Sequence, residues 1–241
     1  MQKICLVIPC YNEQYRLPIN SFVDSYNSSS FHYLFVNDGS SDNTLTVLTD
    51  LKAGREDRIS ILNLLENKGK GEAIRLGFLE AIKNNPFEII GYMDADLATP
   101  LSEVDKLTPH IQNGICFVFG SRVKLVGTNI KRKKIRHVLG RVFATIASRI
   151  LELGVYDTQC GAKFFHRSII EPIFTIPFQT KWVFDLEIFI RISQLNQHKN
   201  ISSIAKEIPV SEWIDVQGSK LTLKHMFGIP FELWTLRKYF S

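Results

Sequence analysis

Asp94 and Asp96 stand one residue apart, directly after the apolar run Ile89-Ile90-Gly91-Tyr92-Met93. Two carboxylates so placed on a turn can face one hard cation, or one can hold a cation and the other a ribose hydroxyl. With no His/Cys cluster nearby, Mg²⁺ or Mn²⁺ is the ion that such oxygen donors suit. Lys68-Gly69-Lys70-Gly71 opens a helical stretch. Glycine allows close approach to the backbone, and a helix N-terminus with two lysines favours a phosphate. The loop is not GxxxxGK[ST], and no GxGxxG follows the first strand, which counts against a dinucleotide enzyme. Asp38 follows another apolar run and precedes a helix, where its carboxylate can accept from a base N–H. Each feature has a bland counterpart: Asn37-Asp38-Gly39-Ser40 is good turn chemistry, 68–71 is a plausible helix entry, and lone DxD pairs occur in many solvated loops.

Their positions along the chain raise them above that. Short apolar strands at 4–8, 33–36, 59–65, 88–93 and 115–120 alternate with helical spacing at 17–26, 42–51, 71–83 and 102–111. Asp42 can cap the second helix, and Gly54 ends it. Strands separated by helices of this length imply parallel βαβ units. Ligands then bind beyond the carboxyl ends of the strands. Those ends read 9–13, 37–41, 66–71, 94–96 and 120–122, all polar or Gly-rich, and they should converge on one edge.

The 241 residues are 45% hydrophobic and 22% charged, ordinary globular values that exclude disorder. One domain is the default at this length. We divide it into a nucleotide-binding half, 1–121, and an acceptor half, 122–241. Four cysteines at 5, 10, 116 and 160 form no CxxC pair and read as reduced thiols of a cytoplasmic protein. No run of about 18 apolar residues suggests a membrane-spanning helix, and the first nine residues are too short an apolar stretch for a signal peptide. The net charge is +5, yet between Lys106 and Leu151 there are ten Lys or Arg and no acid. The rest of the chain is therefore net acidic, and this one region should meet an anion or an anionic surface. A solvated helix face is the plainer alternative. No RNA-binding signature or zinc finger accompanies it, so nucleic acid is not the expected partner.

Taken together, Val7-Ile8-Pro9-Cys10-Tyr11-Asn12-Glu13, Val36-Asn37-Asp38-Gly39-Ser40-Ser41-Asp42, Asn67-Lys68-Gly69-Lys70-Gly71 and Asp94-Ala95-Asp96 resemble the family-2 inverting glycosyltransferases. The resemblance implies the α/β glycosyltransferase-A fold, a Rossmann-like, mostly parallel sheet flanked by helices. It implies that Pro9, Tyr11, Glu13 and Asp38 hold the base and ribose of a nucleotide-sugar, that Lys68 approaches the nucleotide, and that Asp94 and Asp96 hold ribose and metal. Further on, Gly120-Ser121-Arg122, Asp157-Thr158-Gln159-Cys160-Gly161-Ala162-Lys163 and Trp182-Val183-Phe184-Asp185-Leu186-Glu187 look like the polyprenyl-phosphate sugar synthases, and within them the dolichyl-phosphate β-glucosyltransferases. Ala98 stands where mannose synthases more often carry Gln, and Ala162 replaces the usual aromatic. The N-terminal anchor of eukaryotic glucosyl members and the C-terminal spans of many bacterial ones are not expected here.

The implied reaction is transfer of a sugar, most simply glucose from UDP-glucose, to a polyprenyl phosphate with inversion. Asp96 with Mg²⁺ or Mn²⁺ neutralises the departing diphosphate. Arg122, Lys163 and Arg132 or Arg136 hold the acceptor phosphate. Asp185 or Glu187 serves as base if the acceptor is instead a saccharide hydroxyl. A non-catalytic nucleotide-sugar or membrane-binding module is the alternative of another class. Two amphipathic basic stretches, 136–153 and 221–239, bear on location. They either pack on the domain or place a cytoplasmic protein peripherally on an anionic membrane face. Gly228-Ile229-Pro230 is expected to break the second stretch.

Overall fold

The computed structural model describes residues 3–84, 86–131, 154–197, 201–216 and 223–240. Its first half alternates as its apolar periodicity requires: β1 (Ile4–Cys10), α1 (Ile19–Ser28), β2 (His32–Asp38), α2 (Thr44–Lys52), β3 (Ile59–Leu64), α3 (Lys70–Asn84) and β4 (Ile89–Met93). Strands β1 to β4 are mutually parallel where they pair. Consecutive side chains of a strand point to opposite faces. In β1, Leu6, Ile8 and Cys10 therefore enter one core with Phe22 of α1 and Leu48 of α2. Cys5 and Val7 enter the other with Ile74 and Phe78 of α3. Helices thus cover both faces, which is what near-continuous apolar strands demand.

The stretch expected as one helix at 102–111 is a single α turn, α4 (Val104–Leu107), between two 3₁₀ turns. Pro109 sits in the second 3₁₀ turn and cannot supply an N–H to a continuing helix. After it come β5 (Phe117–Ser121), β6 (Asn129–Lys131), β7 (Ala162–His166), α5 (Ile170–Phe174), α6 (Phe184–Leu195), β8 (Ala205–Pro209), β9 (Glu212–Ile214) and α7 (Leu223–Phe240). The seven-stranded sheet runs β3-β2-β1-β4-β7-β5-β8, with β6 and β9 forming a small separate ladder. The fifth strand does not follow β4 in space. Antiparallel β7 lies between them, pairing Tyr92 with Lys163 on one side and Phe119 with Lys163 on the other. This insertion brings 157–163 to the edge where β1, β2 and β4 end.

Helix α7 continues through Pro230 rather than breaking there. An interior proline costs ~3 kcal/mol. Packing of Ile229, Leu233, Leu236 and Phe240 on Val183, Leu186 and Ile190 offsets it. No helix among the described residues is long and apolar enough to cross a membrane.

Candidate active site

The strand-end loops meet, and hydrogen bonds tie them to one another. The backbone N–H of Asn12 donates to Ser40 Oγ at 3.0 Å, and Ser41 N–H donates to Asn12 Oδ1 at 2.9 Å. Asp42 accepts from Gln14 N–H at 3.2 Å and from Thr44 N–H at 3.0 Å. Asp42 is not the cap of α2, which is Asn43; from one residue earlier it takes the first helical N–H and ties the loop after β1 to the loop after β2. These bonds position Pro9, Tyr11 and Glu13 at the end of β1, with Glu13 N–H on Thr44 Oγ1 at 2.7 Å.

Asp38 is almost wholly buried, at 2% exposure, and takes three donors from the loop after β3. Oδ1 accepts from Lys68 N–H at 2.8 Å. Oδ2 accepts from Gly69 N–H at 2.9 Å and from the Asn67 side-chain amide at 3.0 Å. Burial raises its pKa, against the lowering effect of those N–H groups. Gly39 (φ +59°) turns the chain so closely that a Cβ would lie 2.2 Å from the Glu66 carbonyl carbon. Asp38 thus fastens the phosphate-loop candidate in place. Lys68 points to solvent and pairs with Glu66 at 2.8 Å.

Asp94 and Asp96 leave the end of β4 into a cluster of opposite charge. Lys70 Nζ lies 2.6 Å from Asp94 Oδ1, and Arg16 lies 3.5 Å from Asp96 Oδ2 and 3.6 Å from Glu13 Oε2. Asp96 Oδ1 also accepts from Ala98 N–H at 3.1 Å. Burial, then the neighbouring Asp94 carboxylate, raise the Asp96 pKa. Partial desolvation works against the Lys70 charge, but Asp94, Asp185 and Asp96 outweigh it and raise its pKa, although its side chain stays partly in contact with solvent. Gly161 makes the site possible, because a Cβ there would lie 2.1 Å from Asp94 Oδ2. Both acids offer hard oxygen donors, which fit Mg²⁺ or Mn²⁺. Among the described residues no group of three or more His, Cys, Asp or Glu could hold a metal. An ion held by one or two carboxylates together with substrate phosphates does not require such a group.

Beneath this cluster lies a buried polar triad. Lys163, fully buried on β7, donates to Asp185 Oδ1 at 2.6 Å, to the Tyr92 hydroxyl at 2.8 Å and to the Cys160 carbonyl at 2.8 Å. The Tyr92 hydroxyl donates to the same Asp185 oxygen. Lys163 therefore has all three of its donors engaged, which corrects its assignment to an acceptor phosphate. Asp185 sits in the first turn of α6, and its Oδ2 is the oxygen left over.

Glu187 is also corrected. It is fully buried, pairs with Arg191 at 2.6 Å, and accepts from Gln179 N–H at 2.9 Å and Thr180 Oγ1 at 3.3 Å. Burial raises its pKa against those partners. It holds the 179–180 turn against α6 and cannot reach a substrate as a base. Arg122 forks onto Asp157, Nε at 2.7 Å and Nη2 at 2.8 Å, and stacks 5.4 Å from the Trp213 ring centroid. That leaves Nη1 for an anion. Arg132 and Arg136 lie outside the described residues. Cys160, whose thiol burial pushes up to about 11, stays neutral at pH 7.

Sequence reasoning did not find Arg16, nor that Lys70 pairs with Asp94. Arg16 carries no motif of its own; only the folded loop sets it beside Asp96.

Residues 5–174 match the model of glycosyl transferase family 2. Dolichyl-phosphate beta-glucosyltransferase of Saccharomyces cerevisiae is 33% identical, over 91% of this chain and 69% of that protein. The Drosophila melanogaster enzyme of the same name is 31% identical over 96% and 71%, and the human one 30% over 97% and 72%. Among solved structures, glucosyl-3-phosphoglycerate synthase from Mycobacterium tuberculosis in complex with Mn²⁺ and UDP-glucose aligns with a TM-score of 0.70 at 16% identity. The match covers 98% of this chain and 79% of that one. The architecture is the glycosyltransferase-A fold, and the chain belongs to glycosyl transferase family 2.

Proposed function

We propose that the chain transfers glucose from UDP-glucose to a polyprenyl phosphate of the dolichyl type, with inversion, from the cytoplasmic face of a membrane to which it is peripherally bound. The observation that carries this reading is the Asp94–Asp96 pair at the end of β4, set between Lys70 and Arg16 in a chain whose relatives are named dolichyl-phosphate beta-glucosyltransferases. Within one domain, 1–121 supplies the donor site and 122–241 the acceptor site.

Asp96 and Asp94 would hold Mg²⁺ or Mn²⁺, which when bound offsets the charge that develops on the departing diphosphate. Pro9, Tyr11 and Glu13 line the nucleotide, and Asp38 keeps the 67–69 loop beside it. The Lys70 ammonium faces the diphosphate from the start of α3. An acceptor phosphate oxygen forms the bond to the anomeric carbon as the bond to UDP breaks, and the electron pair leaves with UDP. One displacement converts an α-linked donor into a β-linked product. Arg122, held rigid by Asp157, turns its remaining donor to the acceptor phosphate, with Arg132 and Arg136 assigned to the same anion. That phosphate is already anionic at pH 7 and needs no base.

A second reading rests on Asp185. Its Oδ2 is left over at the N-terminal end of α6, where it could serve as base toward a saccharide hydroxyl. A screen of labelled nucleotide-sugars against polyprenyl phosphate and saccharide acceptors separates the two. Label that enters a lipid product supports the phosphate acceptor. Label found only in saccharide supports the second reading.

A further inference from the structure

Helix α7 is apolar on two opposite sides, and among the described residues the fold packs against one of them. Ile229, Leu233, Leu236 and Phe240 recur at helical spacing and pack against Val183, Leu186 and Ile190 of the α6 region. Phe231, Trp234 and Lys238, at i, i+3 and i+7, share the opposite stripe. Phe231 is 68% exposed and Trp234 58%. Arg237 and Tyr239 flank this stripe, Tyr239 again half exposed. The two aromatic rings lie 6.0 Å apart, and Lys238 Nζ lies 5.5 Å over the Trp234 ring. A helix with one face in a core ordinarily turns a polar face outward. This one turns out large aromatics with cations and, between Phe231 and Lys238, no acid on that stripe; its one acid, Glu232, faces the domain.

Glu232 fixes the helix relative to the site. Its Oε2 accepts from Trp182 N–H at 2.9 Å and Val183 N–H at 3.1 Å, directly before the turn of α6 that carries Asp185. Tyr239 and Phe240 line a cleft of about 350 Å³ with Arg191 and Leu195 near the other end of α6. Helix α7 therefore runs alongside α6 in the same direction, and Phe231 lies toward the end of α6 that bears the active site.

We propose that the outer stripe of α7, Phe231 and Trp234 with Arg237 and Lys238, is a docking surface for an anionic lipid bilayer and sets the active-site edge against the membrane. Trp234 and the flanking Tyr239 pair an apolar body with a polar edge, Phe231 adds apolar surface, and cations lie between them, a combination that matches the headgroup boundary of a bilayer. An anionic leaflet adds attraction to Arg237 and Lys238. The inference rests on the lipid-acceptor reading but assigns the contact to a part of the chain separate from the basic run at 131–136.

The test is sedimentation of the full chain with vesicles of phosphatidylcholine alone or mixed with phosphatidylserine, for wild type, Phe231→Ser/Trp234→Ser and Arg237→Glu/Lys238→Glu. UDP binding by calorimetry without vesicles is measured in parallel. The wild type should prefer the anionic vesicles, and added salt should weaken it. The aromatic variant should bind at least ~10-fold more weakly to both vesicle types. The charge variant should lose the preference for phosphatidylserine. UDP binding should be unchanged in both. If the aromatic variant binds vesicles like wild type, the proposal is overturned and any membrane contact lies elsewhere. Should wild type ignore vesicles yet dimerise, with the aromatic variant monomeric, a second copy covers the stripe and the proposal again fails. Vesicle binding lost in the aromatic variant, but with no transfer to polyprenyl phosphate by wild type, would sink the lipid-acceptor reading and leave the docking surface standing.

Discussion

Replacing Lys163 with Met should destabilise the protein more than it changes any substrate contact. Met keeps most of the side-chain volume, so packing changes little. What disappears is a fully buried ammonium and its bonds of 2.6 Å to Asp185, 2.8 Å to Tyr92 and 2.8 Å to the Cys160 carbonyl. Removing one partner of a buried pair costs ~3–5 kcal/mol, because the other charge stays buried without it. Domains of this kind are stable by only ~5–15 kcal/mol, so the loss is large. Urea unfolding followed by circular dichroism reads it directly. Lys163→Met should lose ~3–5 kcal/mol. Adding Asp185→Asn to that variant should restore at least ~1 kcal/mol, since no stranded charge remains and the amide oxygen still accepts from Tyr92. Stability within ~1 kcal/mol of wild type, together with a raised KM for the lipid acceptor alone, would refute the structural role and return Lys163 to the acceptor phosphate.

Other outcomes test the rest of the site. Asp96→Asn should lower transfer at least ~100-fold and weaken Mn²⁺ binding seen by electron paramagnetic resonance; full activity in excess chelator would contradict the metal assignment. Gly161→Ala should push Asp94 aside and weaken Mn²⁺ binding by ~10-fold or more with little change in unfolding. Unaltered binding would mean the loop yields instead. Asp38→Ala should raise the donor KM more than it lowers kcat, because the 67–69 loop loses its anchor in ground and transition states alike. Asp38 also has a pH signature. Its folded pKa is raised by burial above the ~3.9 of an unfolded Asp. Its contribution to stability is therefore full below that value and is lost as pH rises through the folded one. The stability of wild type minus that of Asp38→Asn should fall across this window; a difference that does not change with pH would contradict the shift.

What the sequence made legible was local. The five strands of the first half, the polar loops after them and the acidic pair at 94 and 96 follow from apolar periodicity and turn chemistry. Strand order was not legible, because pairing of β7 between β4 and β5 is a tertiary choice that no local pattern encodes. Three residues have partners that the sequence hides, for one cause. Lys163, Glu187 and Asp38 look like reagents on paper, yet each is buried and bonded to partners 3 to 71 residues away in the chain. For Lys163 a signal existed. It lies within Ala162-Lys163-Phe164-Phe165, an apolar strand that leaves no solvent for an ammonium, so a buried partner was implied. For Asp38 the Gly-containing loop at 67–69 was visible, but which carboxylate it would close upon was not. Pro230 misled about α7 because the packing of Ile229 and Leu233 that overrides it is long-range.

The central claim is tested most directly by incubating the full chain with UDP-[¹⁴C]glucose, dolichyl phosphate and Mn²⁺, then extracting the lipid phase and determining the anomeric configuration of any product. The account predicts label in a β-linked glucosyl phospholipid, abolished by chelator and by Asp96→Asn. An α-linked product, or lipid-phase label that persists in Asp96→Asn, would contradict it.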